Sequence, residues 1–196
     1  LTRHRKALLL LAPLGLALFP LPAEPDRDGQ PTLRVVQPNI GQQDKYDETY
    51  EAANFARLAE QTGRPGSTPR LILWPEAAVP DFIGEDWAVS ELAREKLATL
   101  LGPKDLLLTG ADKIFEGKTK KGAATETRWI GAANSVFALD ARAQILWRYD
   151  KAHLVPYGEY LPMRPLLSAI GLSRLVPGDL DFWPGPGPRT HDVPGF

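Results

Sequence analysis

The chain of 196 residues contains no cysteine, which excludes disulfide bridges and thiolate metal sites. Histidine is scarce as well. His4, His153 and His191 lie far apart without the spacing of a ligand set such as HExxH, so no metal is expected, and no other cofactor. Neither charge sign is in surplus: 23 Lys and Arg stand against 24 Asp and Glu, a formal net charge of -1. The electrostatic footprint of a nucleic-acid-binding protein is therefore missing. There is no internal repeat at fixed spacing and no initiator Met. The chain starts at Leu1 and stops at Phe196, just after Val193-Pro194-Gly195, and both ends read as cuts, so a fragment of a longer protein is expected.

What is present is the material of a globular domain. Hydrophobic residues make up 43% of the chain, enough for one core plus an appendage, and 19 prolines with 17 glycines imply many ordered loops. At the start, Arg3, His4, Arg5 and Lys6 precede an uncharged apolar run from Ala7 to Pro22, interrupted by Pro13, Gly15 and Pro20. It is shorter than the ~20 residues of a straight membrane-spanning helix. It fits a secretory signal, the end of a transmembrane helix whose earlier part is lost, or a buried core helix. Under the first two readings the positive residues stay on the cytoplasmic side and everything after Pro22 faces outward. The polar stretch from Glu24 to Pro31 reads as a linker.

Beyond it, Leu33–Gln37 reads as a first strand and Tyr46–Gln61 as a helix with apolar or small residues at helical spacing. Leu71–Trp74 is a continuous apolar run, expected of a strand buried on both faces. Trp87–Leu101 predicts a second helix stopped by Gly102-Pro103, and Leu106–Gly110 another buried strand. Ser135–Leu139 and Gln144–Tyr149 predict a hairpin turning at Asp140–Ala143. Glu116–Thr127, polar and basic, reads as a solvated loop or hairpin tip, and the chain is loop-rich from Pro156 to Pro188. The alternation of strand and helix predicts an α/β sheet with helices on its faces and added antiparallel strands.

Two residues stand where an α/β sheet gathers its ligands, just past strand ends. Glu76 follows Leu73-Trp74-Pro75, where partial desolvation would raise its pKa into the range of a general acid or base; it reads equally as the start of a surface loop. Lys151 follows the last predicted strand, in Tyr149-Asp150-Lys151. A lysine held near a carboxylate stabilises an oxyanion, with Glu159 to orient it, although alone Lys151 reads as half of a surface salt bridge.

Together the motifs are more specific. A Glu after an apolar strand, a Lys after a later strand and then Pro-aromatic-Gly-Glu resemble the nitrilase superfamily, and within it the apolipoprotein N-acyltransferases. The stretches that carry the likeness are Val36–Ile40, Trp74–Pro80, Ala133–Ser135 and Tyr149–Pro162, above all His153-Leu154-Val155-Pro156-Tyr157-Gly158-Glu159-Tyr160. The resemblance runs from about Leu33 to Gly185. It implies a four-layer α-β-β-α sandwich, here partial, preceded by the end of a transmembrane helix, and it favours that reading of the apolar run. The implied organisation is residues 1–23 as helix end, 24–32 as linker and 33–196 as an incomplete nitrilase-like domain on the outer face of a bacterial cytoplasmic membrane.

The family triad is Glu, Lys and Cys. The resemblance makes Glu76 the general base, Lys151 the oxyanion stabiliser and Glu159 a second carboxylate of the site. Asn134, Trp74, Tyr157 and Tyr46, the last in place of a family Trp, are implied substrate-side positions. The cysteine is expected on a strand just after Phe196, so this stretch alone is expected to be inert. The implied activity moves an acyl chain from a phospholipid to the α-amino group of a diacylglyceryl-cysteine at an apolipoprotein's N-terminus, by way of an acyl-enzyme. The implied partners are these two substrates and the membrane. The apolar, Pro-broken segment between Leu154 and Leu172 reads as a mobile flap dipping into the bilayer or as packing against the sheet edge. Two other functions fit the same residues: an amidase or amide synthase of nitrilase type acting on a soluble substrate, and a Cys-free domain that binds lipid or a partner without catalysis.

Overall fold

The computed structural model describes residues 29–45, 47–121, 124–163, 166, 169, 180–193, 195 and 196. The chain divides into two units, Leu1–Gln30 and Pro31–Phe196, and the second is the subject below. The expected helix end (1–23), residues 24–28 of the linker, Tyr46 and part of the expected flap lie outside the described residues. Among the described residues no helix is long and apolar enough to cross a membrane.

The second unit is built on one five-stranded sheet, in the order β1 (Thr32–Val35), β2 (Arg70–Leu73), β3 (Leu106–Lys121), β4 (Ala124–Asp140), β5 (Ile145–Asp150). The first three strands are parallel and the last three antiparallel. Parallel neighbours need crossovers, which are supplied by α1 (Glu51–Thr62) and α2 (Ala88–Ala98). The helix expected from Tyr46 starts later because Asp47 caps a 3-10 turn, Glu48–Tyr50, by accepting from the Thr49 amide at 2.9 Å. It ends at Gly63, whose φ of 70° is the left-handed geometry that glycine adopts without strain.

Helical spacing decides what each helix buries. Leu58 and Thr62, four apart, are the buried residues of α1, and Ser90, Ala93 and Leu97 those of α2. Leu58, Ala93 and Leu97 share one core with Ile72, Leu107 and Leu139, which lie side by side across β2, β3 and β4 and are wholly buried. Each such side chain removed from water contributes roughly 1.5–3 kcal/mol. One clamp ties the strand starts to the helix ends. Arg70 pairs with Asp105 at 2.6 Å and also donates to the carbonyls of Thr62, Gly63 and Leu100. Asp105 in turn accepts from the Gly102 amide at 2.7 Å.

On the opposite face the β1–β2 edge is open, while Leu106 and Ala138 further along that face are buried. Leu33 and Val35 are 63% and 64% exposed, and their register partners Leu71 and Leu73 are only half-buried. Burial of β2 on both faces, as its apolar run suggested, is thus found on the helix side only, because both helices pack there. The stretch read as a solvated loop or hairpin tip is the far part of the β3–β4 hairpin, longer in its pairing than expected. Glu116–Thr127 continues both strands, pairing from Glu116 with Trp129 out to Lys121 with Ala124 after a register shift at Phe115/Glu116. The backbone partners itself along a ribbon that has no core to face, so no apolar alternation announces it.

Candidate active site

The turn after β2 is held against β3 with little tolerance. The Trp74 amide donates to the Leu108 carbonyl at 2.8 Å, Gly110 donates to the Pro75 carbonyl at 3.3 Å, and Val79 donates to the Gly110 carbonyl at 3.2 Å. A Cβ on Gly110 would lie 2.5 Å from the Ala77 nitrogen and 2.8 Å from the Glu76 Cα, so only glycine lets the turn cross here. Ala77 itself takes a φ of 46°, a strained left-handed conformation for a residue with a side chain. From the loop after β1, Lys45 Nζ donates to the Glu76 carbonyl at 2.7 Å. The backbone of Glu76 is therefore gripped from two sides.

Its carboxylate is met by residues from β4 and from beyond β5. Asn134, on β4, donates from Nδ2 to Oε1 of Glu76 and, at 3.3 Å, to Oε1 of Glu159. Lys151 Nζ reaches Glu159 Oε1 at 2.9 Å and Glu76 Oε1 at 3.4 Å. The main chain secures this arrangement. Lys151 donates its amide to the Asn134 carbonyl at 2.8 Å, and Glu159 Oε2 accepts from the Val155 amide at 2.8 Å. The strap from Asp181 to Gly185 passes alongside: Phe182 donates to the Glu159 carbonyl at 3.0 Å and Gly185 to the Lys151 carbonyl at 2.9 Å. Glu76 and Lys151, 75 residues apart in the chain, thus converge with Glu159 and Asn134 at one end of the sheet.

The electrostatics follow from the contacts. The hydrogen bond to Glu159 raises the Lys151 pKa, against some burial and with help from Glu76. Burial pushes Glu159 up, but donation from Lys151, Val155 and Asn134 prevails and holds it below the ordinary carboxylate range. Glu76 does not have the desolvated setting its neighbours in sequence suggested. Its side chain is 62% exposed, and it is positioned by Asn134 and Lys151 rather than by apolar walls. Beside it runs a groove of about 410 Å³, bordered by Gly110, Asn134, Val136, Tyr149, Lys151 and His153.

Two charged members of the site escaped the sequence reading. Asp112, on β3, is the register partner of Asn134. Burial raises its pKa to about 6, opposed by Lys45 and reinforced by Glu159 and Glu76. A charged residue just past an apolar strand was the available signal, the same one that picked out Glu76. Lys45 is half-buried, and burial lowers its pKa against the attraction of Glu76 and Asp112. It sits in a polar loop with nothing in its local sequence to distinguish it. Of the other predicted positions, Trp74 borders the groove while its indole lies in the core, donating to Thr62 Oγ1 at 2.8 Å and packing edge-on against Phe55. Tyr157 is half-exposed on the turn that leads to Glu159, with a φ of 64°. Tyr46 lies outside the described residues.

By fold and site, this is an α/β domain that brings an ammonium, two carboxylates and a carboxamide together beyond the ends of its parallel strands. Its sequence relatives are apolipoprotein N-acyltransferases, and the chain is homologous to them. It is 35% identical over 179 residues to that of Rhizobium etli (strain CIAT 652), covering 86% of this chain and 32% of the relative. It is 33% identical over 193 residues to that of Allorhizobium ampelinum, covering 96% and 34%, and 36% identical over 177 residues to that of Brucella suis biovar 1, covering 86% and 31%. The chain thus spans about a third of the length of these curated relatives. No family model matches it. Among solved structures, an amidase from Nesterenkonia sp. aligns at 20% identity and a TM-score of 0.33, over 85% of this chain and 49% of that one.

Proposed function

We propose that this chain is the part of an apolipoprotein N-acyltransferase that carries its general base and its oxyanion-stabilising cation. The observation that supports this reading is the convergence of Glu76 and Lys151 on Glu159 and Asn134. The nucleophile would be a cysteine outside these 196 residues, since none lies within them. Glu76 takes the thiol proton, and the thiolate attacks the ester carbonyl of a phospholipid. Lys151, oriented by Glu159, stabilises the oxyanion of the tetrahedral intermediate. Collapse expels lysophospholipid, protonated through Glu76, and leaves an acyl thioester. The free α-amine of a diacylglyceryl-cysteine then attacks the thioester. An amide forms, the C–S bond breaks, and the proton lost by the amine returns to the thiolate by way of Glu76.

In this reading the open face carrying Leu33 and Val35 is where the second sheet of a four-layer sandwich packs, bringing the cysteine to Glu76. The apolar run before Pro22 is the end of a transmembrane helix, with the domain on the outer face of the cytoplasmic membrane. The test uses the full-length gene product and a phospholipid labelled in its acyl chain. Label is expected on the enzyme as a hydroxylamine-labile thioester, and it is expected to move to a lipoprotein acceptor. Glu76→Gln should slow its formation ~10²–10⁴-fold and Lys151→Met ~10²–10³-fold. A full-length enzyme that takes up no label, or is indifferent to both substitutions, would overturn the assignment.

A further inference from the structure

β3 does not stop at the site. β2 ends opposite Leu108, the site lies level with Asp112 and Asn134, and β3 runs on from Lys113 to Lys121 with β4 paired along it. At the usual strand rise the ribbon overhangs the site by roughly 30 Å. Near its base, about 15 Å from Asn134 by the same rise, it carries an aromatic cluster on the surface. Trp129 packs on Phe82 at 5.4 Å and stacks on Trp87 at 6.2 Å, and Phe82 meets Trp87 edge-on at 6.1 Å. The cluster is far from sealed: Trp129 is 46% exposed and the neighbouring Ile130 45%. Large aromatic and aliphatic groups left together in water mark a contact surface.

Charge indicates what would cover it. From Glu116 to Arg128 the sequence places Lys118, Lys120, Lys121 and Arg128 against two carboxylates, Glu116 and Glu126. Lys118 and Arg128 are exposed on the two strands, one residue out of register with each other. Tryptophan rings, apolar in body with one N–H donor, settle at the level of lipid headgroups, and flanking cations draw them to an anionic surface. We infer that the β3–β4 ribbon is an interfacial lipid-docking element, seating Trp129 and Ile130 among the headgroups of an anionic bilayer and holding the site beside that surface. This goes beyond the acyl-transfer reading: it concerns a surface rather than the chemistry, and its test does not depend on turnover.

These 196 residues contain no cysteine, so a single one introduced into this stretch is labelled at one known position. Ile130→Cys, labelled with an environment-sensitive fluorophore, is mixed with vesicles of phosphatidylglycerol and phosphatidylcholine. Lys104→Cys serves as control, exposed ahead of β3 at the opposite end of the sheet. The label at 130 should shift to the blue and become accessible to a bilayer-embedded quencher, while the label at 104 stays in water. Reversing Lys118 and Arg128 to Glu should weaken that response about tenfold or more, and pure phosphatidylcholine should elicit less of it. Binding driven by the apolar run near the N-terminus alone would leave position 130 in water, and that result overturns the inference. So does a response at 130 to an acceptor lipopeptide but not to vesicles, which would make the ribbon a protein-docking surface.

Discussion

Asp112 and Glu159 are carboxylates in the same site with opposite displacements, and the difference is one of partners. Glu159 receives three donors, so it stays ionised to lower pH than in the unfolded chain. Its stabilising contribution is complete above the unfolded value near 4.5 and is lost as the pH falls through its lower folded value. Glu159→Gln should therefore flatten the acid limb of a plot of Tm against pH while lowering Tm at neutrality. Asp112 is raised from 3.8 to about 6, chiefly by burial. It costs nothing while protonated, and its charged form destabilises progressively as the pH rises from 4 through 6, by roughly 3 kcal/mol at most. Asp112→Asn should raise Tm by several degrees at pH 8 and leave it nearly unchanged at pH 4. Thermal unfolding monitored by circular dichroism across that range checks both signs. Neither displacement was legible in the local sequence, since each depends on groups brought in from other strands.

At the scale of elements, the site depends on how closely two of them cross. The turn after β2 rides on Gly110 of β3, and a methyl group there would strike backbone, which cannot swing aside as a flexible side chain does. Gly110→Ala should cost about 1–3 kcal/mol and displace Glu76 from Asn134. Chemical denaturation reads the first effect. The second should appear as loss of the Glu76-dependent step in the full-length enzyme, out of proportion to the loss of stability. Element type was largely readable in advance: the apolar runs at 71–74 and 106–110 are strands, and the helices occupy the predicted windows within a few residues at each end. The distal ribbon was readable as a loop or hairpin tip but not in its strand length, because its strands face solvent and carry no periodic apolar signal.

At the scale of the whole molecule, the sheet has one face covered by helices and, on the other, an apolar patch left open over β1 and β2. Leu33 and Val35, with Leu71 and Leu73 behind them, form a surface that a chain of this length leaves in water. The isolated 196-residue chain should therefore self-associate in a concentration-dependent way. Replacing Leu33 and Val35 by Lys should shift it toward monomer in analytical ultracentrifugation and change folding stability by only about 0.5 kcal/mol per site. An unaltered sedimentation profile would mean that this face is not the one that associates.

The amino-acid sequence by itself determined the α/β class, the strand-end positions of Glu76 and Lys151 and the likeness to apolipoprotein N-acyltransferases. Those features are written in short-range pattern: apolar runs, breakers and motif spacing. Only the tertiary structure decided that Asn134 bridges two carboxylates, that Lys45 and Asp112 belong to the site, that Trp74 turns its indole into the core, and that Glu76 stands in water. Each of these depends on which strand lies beside which and on which face the helices cover. A hydrogen bond across 75 residues of chain has no local sequence signature.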